Sequence, residues 1–233
     1  MRSALGFTLV ELLIVIGIVL VLAGMLFPVL SQVRQSALST QSAGNVRQIG
    51  LAWAMYTNDS DDVTMPFSTY DVDRDTIRYW WASYHDGTLD YRQGILSPYL
   101  KSRSVNTDPL FSSHVSDAFG FTGYGYNYFY LCPQLPIERL VYVGIQMTTV
   151  RDPSNTVAFG TTARVLGNLA VGYPYFVPPS LRMPTYQGRR GAGLVLWADL
   201  HADWHHVVSA NGNGLGFLNS NGDLASDQFF TVE

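Results

Sequence analysis

Five side chains able to bind a metal or move a proton crowd into eight residues near the end of the chain: Asp199, His201, Asp203, His205 and His206. On one uninterrupted strand, alternation would put Asp199, His201, Asp203 and His205 on a single face. Two carboxylates and two imidazoles so placed could hold zinc. In a tight hairpin turning near Leu200–Ala202 the same side chains would scatter, and the hairpin fits the segment better. A second oxygen-rich stretch contains Asn211, Asn213, Asn219, Asn221 and Asp223 in a Gly-rich loop. Loops of that kind bind calcium, but only Asp223 and Asp227 are charged there and EF-hand spacing is absent. A plain loop is therefore the preferred reading. The third feature is a lone acid, Glu11, inside the apolar run GFTLVELLIVIGIVLVLAGMLFP at residues 6–28. A carboxylate in a membrane span costs about 3 kcal/mol on insertion scales, so it requires a partner there.

The elements that position these groups follow from hydrophobic pattern. Residues 6–28 are long and apolar enough to span a bilayer, and such a span must be helical. Pro28 should kink the helix rather than end it, because Leu30, Val33 and Ala37, then Val46, Ile49, Trp53 and Tyr56, continue at helical spacing. Ser39–Gly44 is small and polar and should loosen or bend it. A helix over about residues 8–57 would be apolar all round in its first half and amphipathic in its second. Asn58–Asp62 is a strong stop, with Asp59, Asp61 and Asp62 as a solvated turn. Beyond it, the pattern predicts strands at 139–145, 156–161, 193–198 and 203–208, and a short helix or turn over 91–101. The aromatic run at 123–130 reads as an alternating core strand, Trp80, Trp81 and Tyr84 read as core, and 171–190 and 209–226 read as loops. The fold class is α+β: a long N-terminal transmembrane-to-amphipathic helix packed against a C-terminal antiparallel β-sheet head with long loops.

Composition narrows the function classes. The chain has 233 residues, 13% aromatic and 14% charged, with a formal net charge of −4. Cationic residues are scattered, so no nucleic-acid footprint is present. The single cysteine, Cys132, permits no intrachain disulfide and reads as a small buried side chain. No Gly-x-Ser-x-Gly, His-Glu-x-x-His or phosphate loop occurs. A structural or interaction protein is expected rather than an enzyme. No cofactor is expected, with calcium or zinc as the only candidates.

A short leader carrying Arg2 ends at Gly6, followed by Phe7, Thr8, Leu9, Val10 and Glu11, with Pro28 further along. In these residues the N-terminus resembles the type IV prepilin signature. The resemblance implies a leader at 1–6 cleaved between Gly6 and Phe7 and N-methylation at Phe7. It also implies a spine helix over 7–58, of which 7–28 is the transmembrane and filament-core part, and a head over 59–233. Glu11 would pair with the Phe7 amine of a neighbouring subunit, while Gly17, Gly24 and Pro28 shape the assembling surface. The implied partners are identical or homologous pilin subunits, a prepilin peptidase/N-methyltransferase, an inner-membrane assembly platform, and membrane lipids before assembly. The implied location is a single-pass inner-membrane protein with a periplasmic head, then a filament at the cell surface or in the periplasm, and the implied function is a structural subunit of a type IV pilus-like filament or of a type II secretion pseudopilus. The alternatives are a minor or tip subunit whose aromatic head binds glycan or secreted protein, and a membrane-anchored metal-dependent hydrolase using the 199–206 cluster.

In Asn45–Ala52 (NVRQIGLA), Tyr124-Gly125-Tyr126-Asn127 and Pro153-Ser154-Asn155-Thr156 the remainder is similar to one pilin-like family with a large β-rich head. That family ends in a His, nine residues, then Asp-Gly. Here Leu194–Asp199 matches the strand and Asp, Arg189 stands at the His position and Leu200 at the Gly. The family's Cys-Pro is replaced near Asp108-Pro109.

Overall fold

The computed structural model describes residues 8–110, 115–116, 123–135, 141–166, 169–178, 192–210, 213–217 and 232. Helix α1 spans Leu9–Asp59 and runs through Pro28. At 51 residues it is about 77 Å long. The helix also continues through Ser39–Gly44, where loosening was expected. The Ser39 and Thr40 hydroxyls bond the Gln35 and Ser36 carbonyls at 2.8 and 3.0 Å, which absorbs their polarity within the helix.

Compactness divides the chain between Thr40 and Gln41. In the N-terminal unit, the 18-residue apolar window is long enough to cross a membrane, and none of it is buried. In the second unit, Ser42, Asn45, Val46, Ile49, Ala52, Trp53 and Thr57 are buried. Their spacing is the 3.6-residue stripe expected of a helix covering a core.

That stripe packs against a β-rich head. Strands β1 (Ser68–Asp71), β2 (Thr76–Tyr79), β3 (Ser83–His85) and β4 (Thr88–Asp90) form an antiparallel meander. Short strands β5 (Val115–Ser116) and β6 (Tyr124–Tyr126) precede a one-turn helix, α2 (Tyr128–Leu131). Next come β7 (Gln134–Leu135), β8 (Val141–Tyr142), β9 (Val157–Thr161), β10 (Ala163–Leu166) and β11 (Leu169–Gly172). The last strands are β12 (Ala192–Trp197), β13 (Ala202–Ala210) and β14 (Asn213–Phe217). The main sheet has the order β14-β13-β12-β9-β6 and is antiparallel throughout. Strand β12 reads LVLW without alternation because both its faces are buried. Leu194 and Leu196 join the large core with α1, whereas Val195 and Trp197 join a second cluster with Val157 and Phe176.

Several expectations change. The aromatic run at 123–130 is not one strand: β6 stops at Tyr126 and α2 follows. At the junction the Asn127 N–H donates to the Ala158 carbonyl at 2.9 Å and its side chain donates to the Val157 carbonyl at 2.8 Å. Only Val141–Tyr142 of the 139–145 strand pairs. Segments 171–190 and 209–226 are not all loop, since β11 pairs with β10 and β14 pairs with β13. Non-local pairing there overrides glycine-rich local preference. Among the described residues, β11 pairs with β5 in parallel, and an isolated parallel bridge joins Tyr126 to Tyr175. Trp80 and Trp81 are core residues, but Tyr84 is 41% exposed, flanked across the narrow meander only by Ile77 and Leu89. Segment 91–101 forms turns, as anticipated.

The Tyr124–Asn127 motif has a packing rationale. The Tyr124 hydroxyl reaches Ser42 Oγ on α1 at 3.0 Å, and the Tyr126 hydroxyl donates to the Met65 carbonyl at 2.9 Å. Between them a Cβ on Gly125 would lie 2.5 Å from the Tyr175 carbonyl carbon and 2.6 Å from the Phe176 nitrogen. Backbone atoms cannot yield as a side-chain tip can. Gly125→Ala is expected to destabilise the head by about 2 kcal/mol, read as a lowered unfolding midpoint; an unchanged midpoint would refute the close-approach reading.

Candidate functional site

The first candidate site is the start of α1. Thr8 and Glu11 bond each other reciprocally. The Thr8 backbone N–H and hydroxyl both donate to Glu11 Oε2, at 2.9 and 2.6 Å, and the Glu11 N–H donates to Thr8 Oγ1 at 3.3 Å. This is a capping box, which satisfies donors that a helix start leaves open. Its Thr-x-x-Glu spelling is visible in the sequence, and it gives Glu11 a partner in its own chain besides the external one expected. Thr8→Ala should cost about 1 kcal/mol of local helix stability. Faster amide exchange over residues 9–12 in micelles would show it; unaltered exchange would show that the cap is not formed in solution.

Below that cap the helix surface is apolar and open. Leu9 is 79% and Phe27 71% exposed. No atom lies within 4 Å of a Cβ built on Gly17 or Gly24, so both leave clear surface for a close neighbour. Pro28 lies inside α1 with the helix intact around it. Gly6 and Phe7 lie outside the described residues.

The second candidate is the β12–β13 hairpin. Leu196 pairs with Ala202, the Trp197 N–H donates to the His201 carbonyl at 2.9 Å, and Leu200 takes a left-handed φ of 75° in the turn. The turn falls where the sequence placed it. It sorts the four candidate ligands into two separate pairs. His201 Nδ1 lies 2.5 Å from Asp199 Oδ1, and His205 Nε2 lies 3.2 Å from Asp203 Oδ2. Trp197 sits between them, stacked on His201 with ring centroids 5.5 Å apart and edge-on to His205 at 5.1 Å. Its indole N–H donates to Asp203 Oδ1 at 2.9 Å. Among the described residues, no three His, Cys, Asp or Glu side chains converge as a ligand set. Each carboxylate orients one imidazole, and the aromatic ring lies against both. Asn219, Asn221 and Asp223 lie outside the described residues.

The hairpin is anchored by the other motif of the head. The Asp199 N–H donates to the Pro153 carbonyl at 3.2 Å, and the Ala198 N–H donates to the Thr156 carbonyl at 2.8 Å. Asp152 organises that turn by accepting from Ser154 Oγ at 2.7 Å and Asn155 Nδ2 at 2.8 Å. Those hydrogen bonds, the Asn155 amide's foremost, hold its carboxyl below the usual range. The Pro153–Thr156 and Leu194–Asp199 segments, distant in sequence, are thus one structural unit.

Cys132 is fully buried and accepts the Phe67 N–H at 3.1 Å. Burial pushes its thiol well above the ordinary range, which leaves it a packing residue without nucleophilic character.

Residues 1–27 match the family model described as the prokaryotic N-terminal methylation motif. No curated protein and no solved structure matches the chain.

Proposed function

We propose, starting from a chain with a prepilin-type methylation motif and a type IV pilin-like N-terminal helix, that it is a structural subunit of a pilus-like filament or a type II secretion pseudopilus. The observation that carries this reading is the joining of that motif to a 51-residue helix with a wholly unburied apolar window. A prepilin peptidase cuts between Gly6 and Phe7 and methylates the new amine. The span of residues 7–28 first holds the protein in the inner membrane with the Arg2 side cytoplasmic and the head periplasmic. An inner-membrane assembly platform then transfers it into a bundle of like spans. Gly17 and Gly24 allow close helix approach there.

Glu11 changes partner in this sequence of events. Before assembly its carboxylate accepts from Thr8 of its own chain. In the bundle it faces the cationic Phe7 amine of a neighbour, and that pairing sets the axial stagger, because an unpaired charge in an apolar bundle is costly. The hairpin pairs Asp199–His201 and Asp203–His205 serve the head's structure in this reading, and no metal is needed.

The test is mass spectrometry of the N-terminal peptide, from membrane and sheared-surface fractions kept apart. A chain beginning at methylated Phe7 supports the proposal, and the fraction that holds it separates surface filament from pseudopilus. A chain beginning at Met1 in membranes alone would overturn it and leave an ordinary anchored head.

A further inference from the structure

The outward face of α1 within the head unit carries a pattern that packing inside its own chain does not explain. Arg47, Leu51, Met55 and Asp59 follow one another at four-residue intervals, which aligns them as one ridge. All four are exposed, Leu51 at 57% and Met55 at 55%. The ridge starts on a cation, passes over two apolar side chains and ends on an acid. Gly44 lies just before it on the same face. Within a helix a glycine costs about 1 kcal/mol relative to alanine. Gly50, on the inward face, has a reason to be glycine, because a Cβ there would meet Leu196 Cδ2 at 2.6 Å. At Gly44 a Cβ would find no atom within 4 Å, so the gap it leaves is open.

The charges on this face are also unanswered within the chain. Asp59, Asp61 and Asp62 stand at the C-terminal end of a 51-residue helix whose last turn holds no base. That end is the negative pole of the helix dipole, where cations stabilise and carboxylates are repelled. The Tyr99 hydroxyl donates to Asp59 Oδ2 at 3.1 Å, a neutral partner that leaves the charge in place. All three acids are exposed. Among the described residues, neither Arg47 nor any of the three forms an ion pair.

We propose that this face docks a second copy of the chain, parallel to the first and offset by about 18 Å along the helix axis. Asp59 lies twelve positions after Arg47, and Met55 eleven after Gly44. At about 1.5 Å per residue, a single offset brings both sets of partners level. Arg47 of one copy meets Asp59 of the other, with Asp61 and Asp62 beside it. Met55 of the second copy enters the gap at Gly44 of the first, as a ridge enters a groove. The contact is heterologous: each copy turns its Gly44–Arg47 end to one neighbour and its Met55–Asp59 end to another. It therefore propagates as an open assembly instead of closing on a dimer. The parallel orientation rests on the filament reading, since spans held in one membrane point all copies the same way. The pairing of Glu11 with a neighbour's Phe7 amine orders the spans, whereas this contact orders the heads.

The experiment uses filaments sheared from cells that produce the full chain. Arg47→Asp sets like charges against each other and is expected to lower filament yield roughly tenfold or more. Its unfolding midpoint should match the wild type, because the site is exposed. Arg47→Asp combined with Asp59→Arg and Asp61→Arg restores opposite signs and should recover the yield. Arg47→Cys/Asp59→Cys, oxidised in intact filaments, should give a ladder of covalent oligomers. The chain's own Cys132 is buried and stays out of that reaction. Leu51→Cys alone should give no dimers, since an offset copy places no second residue 51 beside it. Normal yield from Arg47→Asp overturns the offset contact and leaves the filament reading standing. So does a charge-swapped chain that fails to recover, or Leu51→Cys dimers in place of the ladder. A wild-type chain that forms no filaments overturns the filament reading and this proposal with it.

Discussion

Glu11→Ala is expected to leave the chain inserted and cleaved at Gly6–Phe7, yet to abolish filaments. Glu11 is the only charged residue between Phe7 and Arg34, so no other side chain of the span can answer a neighbour's amine. Leaving that amine unpaired in an apolar bundle costs about 3–5 kcal/mol per subunit, more than about a hundredfold in the association constant. The structure adds a control, because Glu11 also caps its own helix through Thr8. Glu11→Gln can keep a capping box while losing the charge. If the trans ion pair drives assembly, both variants fail in filament yield, measured by shearing and electron microscopy. If Gln assembles normally and Ala does not, the residue acts as a helix cap and the pairing is wrong.

The second large effect lies at Asp108. It is fully buried beside α1, and among the described residues its Oδ2 has no hydrogen-bond partner. Its Oδ1 accepts the Leu110 N–H at 3.0 Å. Burial raises its carboxyl from the usual 3.8 to about 6, partly offset by Leu110 and by the nearby Ser42 hydroxyl, which bonds Tyr124 instead of the carboxylate. The folded head thus holds a proton that the unfolded chain releases near pH 3.8. This contribution to stability is fully present below about pH 4, shrinks as pH rises through about 6, and is absent at pH 7 and above. The difference amounts to about 3 kcal/mol at most. Asp108→Asn removes the charge without changing size. It is expected to raise stability at pH 7.5 by about 2–3 kcal/mol and to flatten the pH dependence between 4 and 7. Unfolding of the full chain in micelles, followed by near-ultraviolet circular dichroism, measures both. A variant with the wild-type slope would place the titration elsewhere.

Much of the architecture was legible because local signals agreed with the final packing. The α1 boundaries, the helical stripe from Val46 to Trp53, strands β9, β12 and β13, and the turn near Leu200 all follow from periodicity and turn chemistry acting over a few residues. The aromatic run failed as one strand because Tyr128–Leu131 turn into a helix after Asn127, whose side chain is held by Val157, thirty positions away. The meander β1–β4 and the edge strand β14 were not individually foreseen, since short strands draw their stability from partners rather than from their own sequence. The candidate ligands Asp199, His201, Asp203 and His205 could be named from sequence, but whether they converge depended on the hairpin register.

The sequence by itself determined that the chain begins with a methylation motif and a membrane-length apolar helix, and that a β-rich, charge-poor head follows. Composition and period encode those properties continuously along the chain. Only the tertiary structure decided which polar groups end up without partners. Asp108 is buried beside α1, and tyrosines from separate segments meet around Phe67. Burial and convergence depend on residues far apart in the chain, and no local pattern records them.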